Sequence, residues 1–277
     1  MLSRNYKNVA LLIGIAVTAA AVSGFGISRA LGCPAGPVGT LAPYGPPDTA
    51  AAQVALPAHM AELDGDARKA AFQEALGPLI DAANEPILRD RAVLLALANQ
   101  AEQGCDPGIG AHVWLRAIAQ RYGAEPDDFA TLLRRIDIVP PSLALTQAAI
   151  ESGWGTSRFT QDANALFGQR TYSHRTPGIK PADADGFRVR AFASLLQSVE
   201  HYIHNLNTHP AYHEFRVQRA LQRVNGVAVS GPELAAALSA YSELGGAYVD
   251  LLLQVIDDND LAQLDGAFHR AFRRYSS

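Results

Sequence analysis

The stretch from Pro140 to Gly155 constrains this chain most, because it reads as a short apolar helix with a stop at each end. Leu143, Thr146, Gln147 and Ile150 fall at i, i+3, i+4 and i+7, the spacing of one helical face. Pro140, Pro141 and Ser142 can start that helix, and Gly153 and Gly155 can stop it. Glu151 therefore sits in the last turn. A carboxylate there faces the negative end of the helix dipole, and Trp154 beside it can exclude water. Both effects favour the protonated acid, the form that donates a proton to a leaving group. The plain alternative is a solvated helix-end residue. Its neighbours argue against that: Gln147 lies one turn earlier on the same face, the glycines let a ligand approach the backbone, and Asn164 can supply an amide from a short loop.

Composition narrows the class of protein. The chain has 277 residues, 48% hydrophobic and 18% charged, which is ordinary for a globular core of one or two domains. A net charge of −4 and a pI near 6.0 lack the basic excess of a nucleic-acid partner. The N-terminus is distinctive: Arg4 and Lys7 precede an uncharged, mostly apolar run from Val9 to Gly26. That length falls between a signal-peptide core and a spanning helix. We read residues 1–30 as an uncleaved membrane anchor, with the basic end in the cytoplasm and the bulk of the chain outside it. Cleavage after Ala19-Ala20-Ala21, leaving a secreted or periplasmic protein, is the alternative. Cys33 ends a sequence similar to a lipoprotein signal, although Ser28 and Arg29 interrupt the run before it. Cys33 and Cys105 could pair or stay as thiols.

Residues 31–60 form a Pro/Gly/Ala-rich linker, and 61–277 a folded domain. Helical periodicity marks one stretch through Ala70, Ala71, Ala75, Leu76, Leu79 and Ile80 and a second through Ile87, Val93, Leu94 and Leu97, with Asn84-Glu85-Pro86 dividing them. Further helices are expected at about 110–122, 127–136 with Asp127 as cap, 142–152, 194–207, 231–241 and 246–257. Between Gln169 and Phe192 the helical period is lost, and Phe187-Arg188-Val189-Arg190-Ala191 alternates, the mark of a small β hairpin or lobe. The fold class is α+β, mainly α.

The segments AAIESGWGTSRF and NALFGQ, with Arg190–Ser194, Asn205–Tyr212 and Tyr241–Val249, resemble in matching order the bacterial glucosaminidase-domain family of peptidoglycan N-acetylglucosaminidases, most of all its Bax-like subgroup. The resemblance spans about 60–265, with its core signature in 140–260. It implies a lysozyme-like helical body and small β lobe with a substrate groove between them. It also implies an endo-β-N-acetylglucosaminidase that cleaves the GlcNAc-β-1,4-MurNAc bond of peptidoglycan glycan strands, with the domain in the periplasm on an inner-membrane anchor. Glu151 matches the catalytic acid and Tyr241 the tyrosine across the groove; Gln147, Trp154, Asn164, Phe167 and Gln169 are substrate-binding candidates. Glu243 and Tyr248 are read as structural. No cofactor or metal is implied.

A second carboxylate is usual in glycoside hydrolysis, about 5–5.5 Å from the first for a nucleophile or about 6.5–9.5 Å for a base. Asp183 and Asp185 are available, although Asp before Gly is a turn residue in its own right. The substrate's own acetamido group could serve instead, so retention or inversion stays open. His201, His204, His209 and His213 have partial metal-ligand spacing, which Pro210 interrupts. His174, Arg175, Lys180, Arg188 and Arg190 give the β segment a basic character suited to the carboxylates of peptidoglycan. Two rival readings are a lytic transglycosylase, which would release an anhydro sugar, and a non-catalytic wall-binding module.

Overall fold

The computed structural model describes residues 50–182 and 186–275. The apolar N-terminal run, Cys33, Asp183 and Asp185 lie outside the described residues, and with them the expectations placed there. Among the described residues no helix is long and apolar enough to cross a membrane.

The body is built from ten helices among the described residues. The longest, α1 (Gly65–Glu102), is capped by Asp64, whose carboxylate accepts from the Ala67 amide at 2.8 Å. Pro78 and Pro86 both lie inside it, so the division expected at Asn84-Glu85-Pro86 does not occur. An interior proline costs about 3 kcal/mol. Each Leu or Ile that α1 buries on both sides of Pro86 (Leu76, Leu79 and Ile80; Ile87, Leu88, Leu94 and Leu97) returns about 1.5–3 kcal/mol. Asn84, fully buried, fixes the middle: its amide donates to the Val139 carbonyl at 2.9 Å and accepts from the Val139 amide at 3.1 Å.

After α2 (Ile109–Tyr122) and α3 (Phe129–Arg135) the chain enters α4 (Pro141–Ser152). The cap of α3 is Asp128, not Asp127: its carboxylate reaches the Thr131 amide three residues on, at 2.9 Å. Every residue of α4 from Pro141 to Ala149 is buried, including the polar Ser142, Thr146 and Gln147. The body is arranged around it: α1, α8 (Gly231–Ala235), α9 (Gly246–Asp258) and α10 (Gln263–Ala271) all pack on α4. Asp265 of α10 pins its start, accepting from Ser142 N (2.9 Å), Ser142 Oγ (2.7 Å) and Gly231 N (2.8 Å). Gly231 must be glycine, because a β-carbon there would lie 2.0 Å from Ser142 Oγ.

Three helices were not legible in sequence: α5 (Arg158–Ala163), α7 (His213–Val224) and α10. For α7 the reason is that arginines lie on its buried face. Arg216 donates to the carbonyls of Leu206 and His209, and Arg219 to those of Arg134, Asp137 and Ile138. The helix expected over 231–241 breaks after α8 into a short 3-10 turn, Ala236–Leu238.

The non-helical interval is a three-stranded antiparallel sheet in the order β1 (Arg170–Thr171), β3 (Arg188–Arg190), β2 (Gly178–Ile179). Arg170 is opposite Val189, and Gly178 opposite Arg190. Val189 joins Ala163 and Ala165 in a small apolar core separate from the main one. The described end of the proline-rich segment is packed rather than extended: Val54 and Leu56 rest against the main core and Met60 is fully buried.

Candidate active site

Glu151 is carried to the surface by the way α4 ends. Gly153, Trp154 and Gly155 take positive φ in succession (59°, 54° and 80°). The Trp154 amide reaches back to the Ala149 carbonyl at 2.8 Å, and Ser152 Oγ receives the Gly155 amide at 2.9 Å. A bulky residue at positive φ is strained, at about 1–3 kcal/mol. Gly155 cannot be replaced without movement, since a β-carbon there would lie 2.7 Å from Leu56 Cδ1 and 3.2 Å from Phe72 Cδ2. The turn leaves Ser152 buried and Glu151 exposed.

Behind Glu151 runs a buried chain of hydrogen bonds. Tyr202 of α6 (Leu195–Thr208) donates to Gln147 Oε1 at 2.5 Å; Gln147 Nε2 donates to Tyr248 Oη at 3.1 Å; Tyr248 of α9 donates to Glu151 Oε1 at 3.1 Å. Gln147 is completely buried and Tyr248 nearly so. The rings enclose the chain: Phe167 stacks on Tyr202 at 3.9 Å, and Tyr241 lies parallel to Tyr248 at 5.6 Å and close to Tyr212 at 5.9 Å.

This setting determines the charge of Glu151. Protein crowding on its inner side pushes its carboxyl above the ordinary carboxylate range, and the bond from Tyr248 pulls part of the way back. The helix dipole acts in the same direction as crowding. Burial likewise raises Tyr202, Tyr212, Tyr241 and Tyr248, each of which also feels the charge of Glu151. These phenols are uncharged near neutral pH and can donate without competing for the acid's proton.

The remaining expected site residues are distributed around this core. Tyr241 lies on the ring that touches Glu151, in the turn after the 3-10 segment. Trp154 points toward α1, edge-on to Phe72 at 5.6 Å with Lys69 Nζ 5.5 Å over its ring. Asn164 ends α5 in a left-handed conformation, and its amide donates to the Phe192 carbonyl at 3.1 Å. Phe167 is buried, its face taken by Tyr202. Gln169 accepts from His201 Nδ1 at 2.9 Å, and His201 Nε2 lies 2.5 Å from Arg190 Nη1. Because an arginine only donates, Nε2 is the acceptor and Nδ1 carries the proton. Burial, then Arg190 and His204, push His201 down to about 4, so it ties β3 to α6 as a neutral imidazole. His204 instead meets the Tyr122 ring. Gly168 closes the front: a β-carbon there would lie 3.9 Å from Glu151 Oε2.

Tyr248 is the contact that sequence reasoning assigned to structure. Gln147 and Glu151, four residues apart on one helix, were visible as a pair; their link to Tyr248 spans 101 and 97 residues of chain. An open concavity of about 650 Å³ beside α9, lined by Pro232, Leu253 and Asp257 among others, shares no residue with this cluster.

A glucosaminidase family model, described as mannosyl-glycoprotein endo-beta-N-acetylglucosaminidase, matches residues 127–261. Protein bax of Escherichia coli (strain K12) is 35% identical over 201 residues, covering 70% of this chain and 71% of the relative. No solved structure matches. The chain belongs to the glucosaminidase family, in its Bax-like branch.

Proposed function

We propose that this protein is an exported peptidoglycan hydrolase, an endo-β-N-acetylglucosaminidase that cleaves the GlcNAc-β-1,4-MurNAc bond with Glu151 as general acid. The observation that carries the reading is the state of Glu151: an exposed carboxyl at a helix end, raised by crowding and contacted by a neutral phenol. Such a group is shifted toward the protonated form, the form that can pass a proton to a glycosidic oxygen. Family membership supplies the class of bond. Glycan would lie in a lysozyme-like groove between the helical body and the β lobe, with Tyr241 directing the acetamido group or the attacking water. Asp183 or Asp185, which follow β2 and precede β3 in sequence, or the acetamido group itself, would complete the reaction. Residues 1–30 would anchor the domain in the inner membrane, and the proline-rich residues that precede the packed Val54 would space it from the bilayer.

Purified sacculi incubated with wild type and Glu151→Gln test this reading, with mass spectrometry of the released fragments. Hydrated fragments ending in reducing N-acetylglucosamine are expected from wild type, and at least about 10²-fold less from the variant. Wild-type turnover by Glu151→Gln would remove Glu151 from the chemistry. Anhydro ends would make the enzyme a lytic transglycosylase, and retention on sacculi without release a binding module.

A further inference from the structure

The hydrogen bonds behind Glu151 run in one direction. The 2.5 Å separation of Tyr202 Oη and Gln147 Oε1 suits O–H···O, and the 3.1 Å separation of Gln147 Nε2 and Tyr248 Oη suits N–H···O. An amide nitrogen only donates, so the Tyr248 oxygen receives from Gln147 and its own proton goes to Glu151 Oε1, 3.1 Å away. When the carboxyl is protonated, the oxygen that accepts this bond is the carbonyl oxygen. Its proton is then on Oε2. That oxygen faces Gly168, which is exposed and has no side chain to cover it.

We propose that Gln147 and Tyr248 are positioning residues that hold the transferable proton on Glu151 Oε2, and that Oε2 delivers it across the rim at Gly168. The inference rests on Glu151 being the general acid. In the step, the Oε2–H bond breaks and the proton passes to the glycosidic oxygen. That oxygen takes the electron pair of the breaking C1–O bond, C1 is captured by the acetamido oxygen or a water, and Glu151 is left as a carboxylate. The Tyr248 hydroxyl then faces a full negative charge, and its hydrogen bond strengthens at the moment charge develops. The phenols of Tyr202, Tyr212, Tyr241 and Tyr248 all feel the charge of Glu151.

The test is titration of the Glu151 carboxyl in the full-length protein, followed by carbon-13 NMR with Glu151→Gln to assign the signal. A hydrogen bond to a charged group corresponds to about one to two pKa units. Tyr248→Phe, which keeps the ring against Tyr241, should raise the Glu151 pKa by about one unit and carry the alkaline limb of kcat/KM with it. Tyr202→Phe, two bonds further away, should shift it the same way but less. A merely structural Tyr248 would leave that titration in place, and an unmoved or lowered value in Tyr248→Phe overturns the inference. Gly168→Ala puts a methyl group 3.9 Å from Glu151 Oε2 without reaching the buried phenols, and because its φ of 59° also strains alanine, activity is compared at equal folded fraction. This variant should lower kcat/KM about tenfold with the Glu151 titration unchanged, and full activity would overturn the Oε2 route. Wild-type turnover by Glu151→Gln would instead defeat the general-acid reading. An inactive Glu151→Gln with an unmoved Tyr248→Phe titration would defeat this inference alone.

Discussion

Asp137 and Glu151 stand near opposite ends of α4, and the protein treats them in opposite ways. Asp137, almost wholly buried, is met by three guanidiniums: Arg223 Nη2 at 2.7 Å, Arg91 Nη1 at 3.5 Å and Arg219 Nε at 4.0 Å. Burial alone would raise it, but the arginines hold it well below the ordinary carboxylate range. Among the described residues, Glu151 has one hydrogen-bonding neighbour that bears on its proton, a neutral phenol, and burial prevails. The lesson is that burial does not set a carboxyl's role; the partner does. Cations make Asp137 a fixed charge that locks α1, α7 and the loop before α4 together. Withholding them leaves Glu151 able to hold and release a proton.

Breaking the cationic site should have the largest effect. Asp137→Ala leaves Arg219 buried with two further guanidiniums nearby and no counter-charge, and should cost about 3–5 kcal/mol in urea unfolding. A loss below about 1 kcal/mol would mean that the arginines find carbonyl partners sufficient. At the other end, Gly155→Ala forces a side chain onto Leu56 at a φ of 80° and should cost about 1–3 kcal/mol. Activity should fall further than the folded fraction, because the turn aims Glu151.

Tyr241→Phe removes one hydroxyl while keeping the ring parallel to Tyr248. Turnover on sacculi should drop with little change in thermal midpoint, and unchanged kinetics would leave Tyr241 as packing alone. The smallest effect sharpens the contrast directly. The folded-state pKa of Asp137 is depressed, so its contribution is present above the unfolded value near 4 and is lost as pH falls below it. That of Glu151 is raised, so its contribution is present below that value and is lost as pH rises through the folded pKa. Glu151→Gln should therefore be at least as stable as wild type at neutral pH and lose that advantage toward pH 4, as followed by thermal unfolding. A variant less stable at pH 7 would show that the ionised carboxylate helps hold the fold.

Much of the helical order was readable because period and punctuation are local. Pro141 and Gly153 bound α4 as expected, and loss of period marked the sheet between Gln169 and Phe192. Pro86 misled because tertiary burial on both sides outweighed a local breaker. The helix α7 was hidden because its inward arginines resemble a solvated face until the carbonyls that receive them are known.

What the sequence determined by itself was an apolar helix ending on Glu151, with Gln147 one turn behind it and two glycines after it. Spacing along one helix suffices to place those groups, since each is fixed relative to the next by backbone geometry. Only the tertiary structure decided that Tyr248 touches Glu151, that Tyr202 begins the bonds leading to it, and that arginines gather at Asp137 and not at Glu151. Those partners come from α1, α6, α7 and α9, tens of residues away along the chain, and no local period encodes them. They meet because α4 is mostly apolar and buried on every side, and the helices that enclose it bring their polar groups to its two ends.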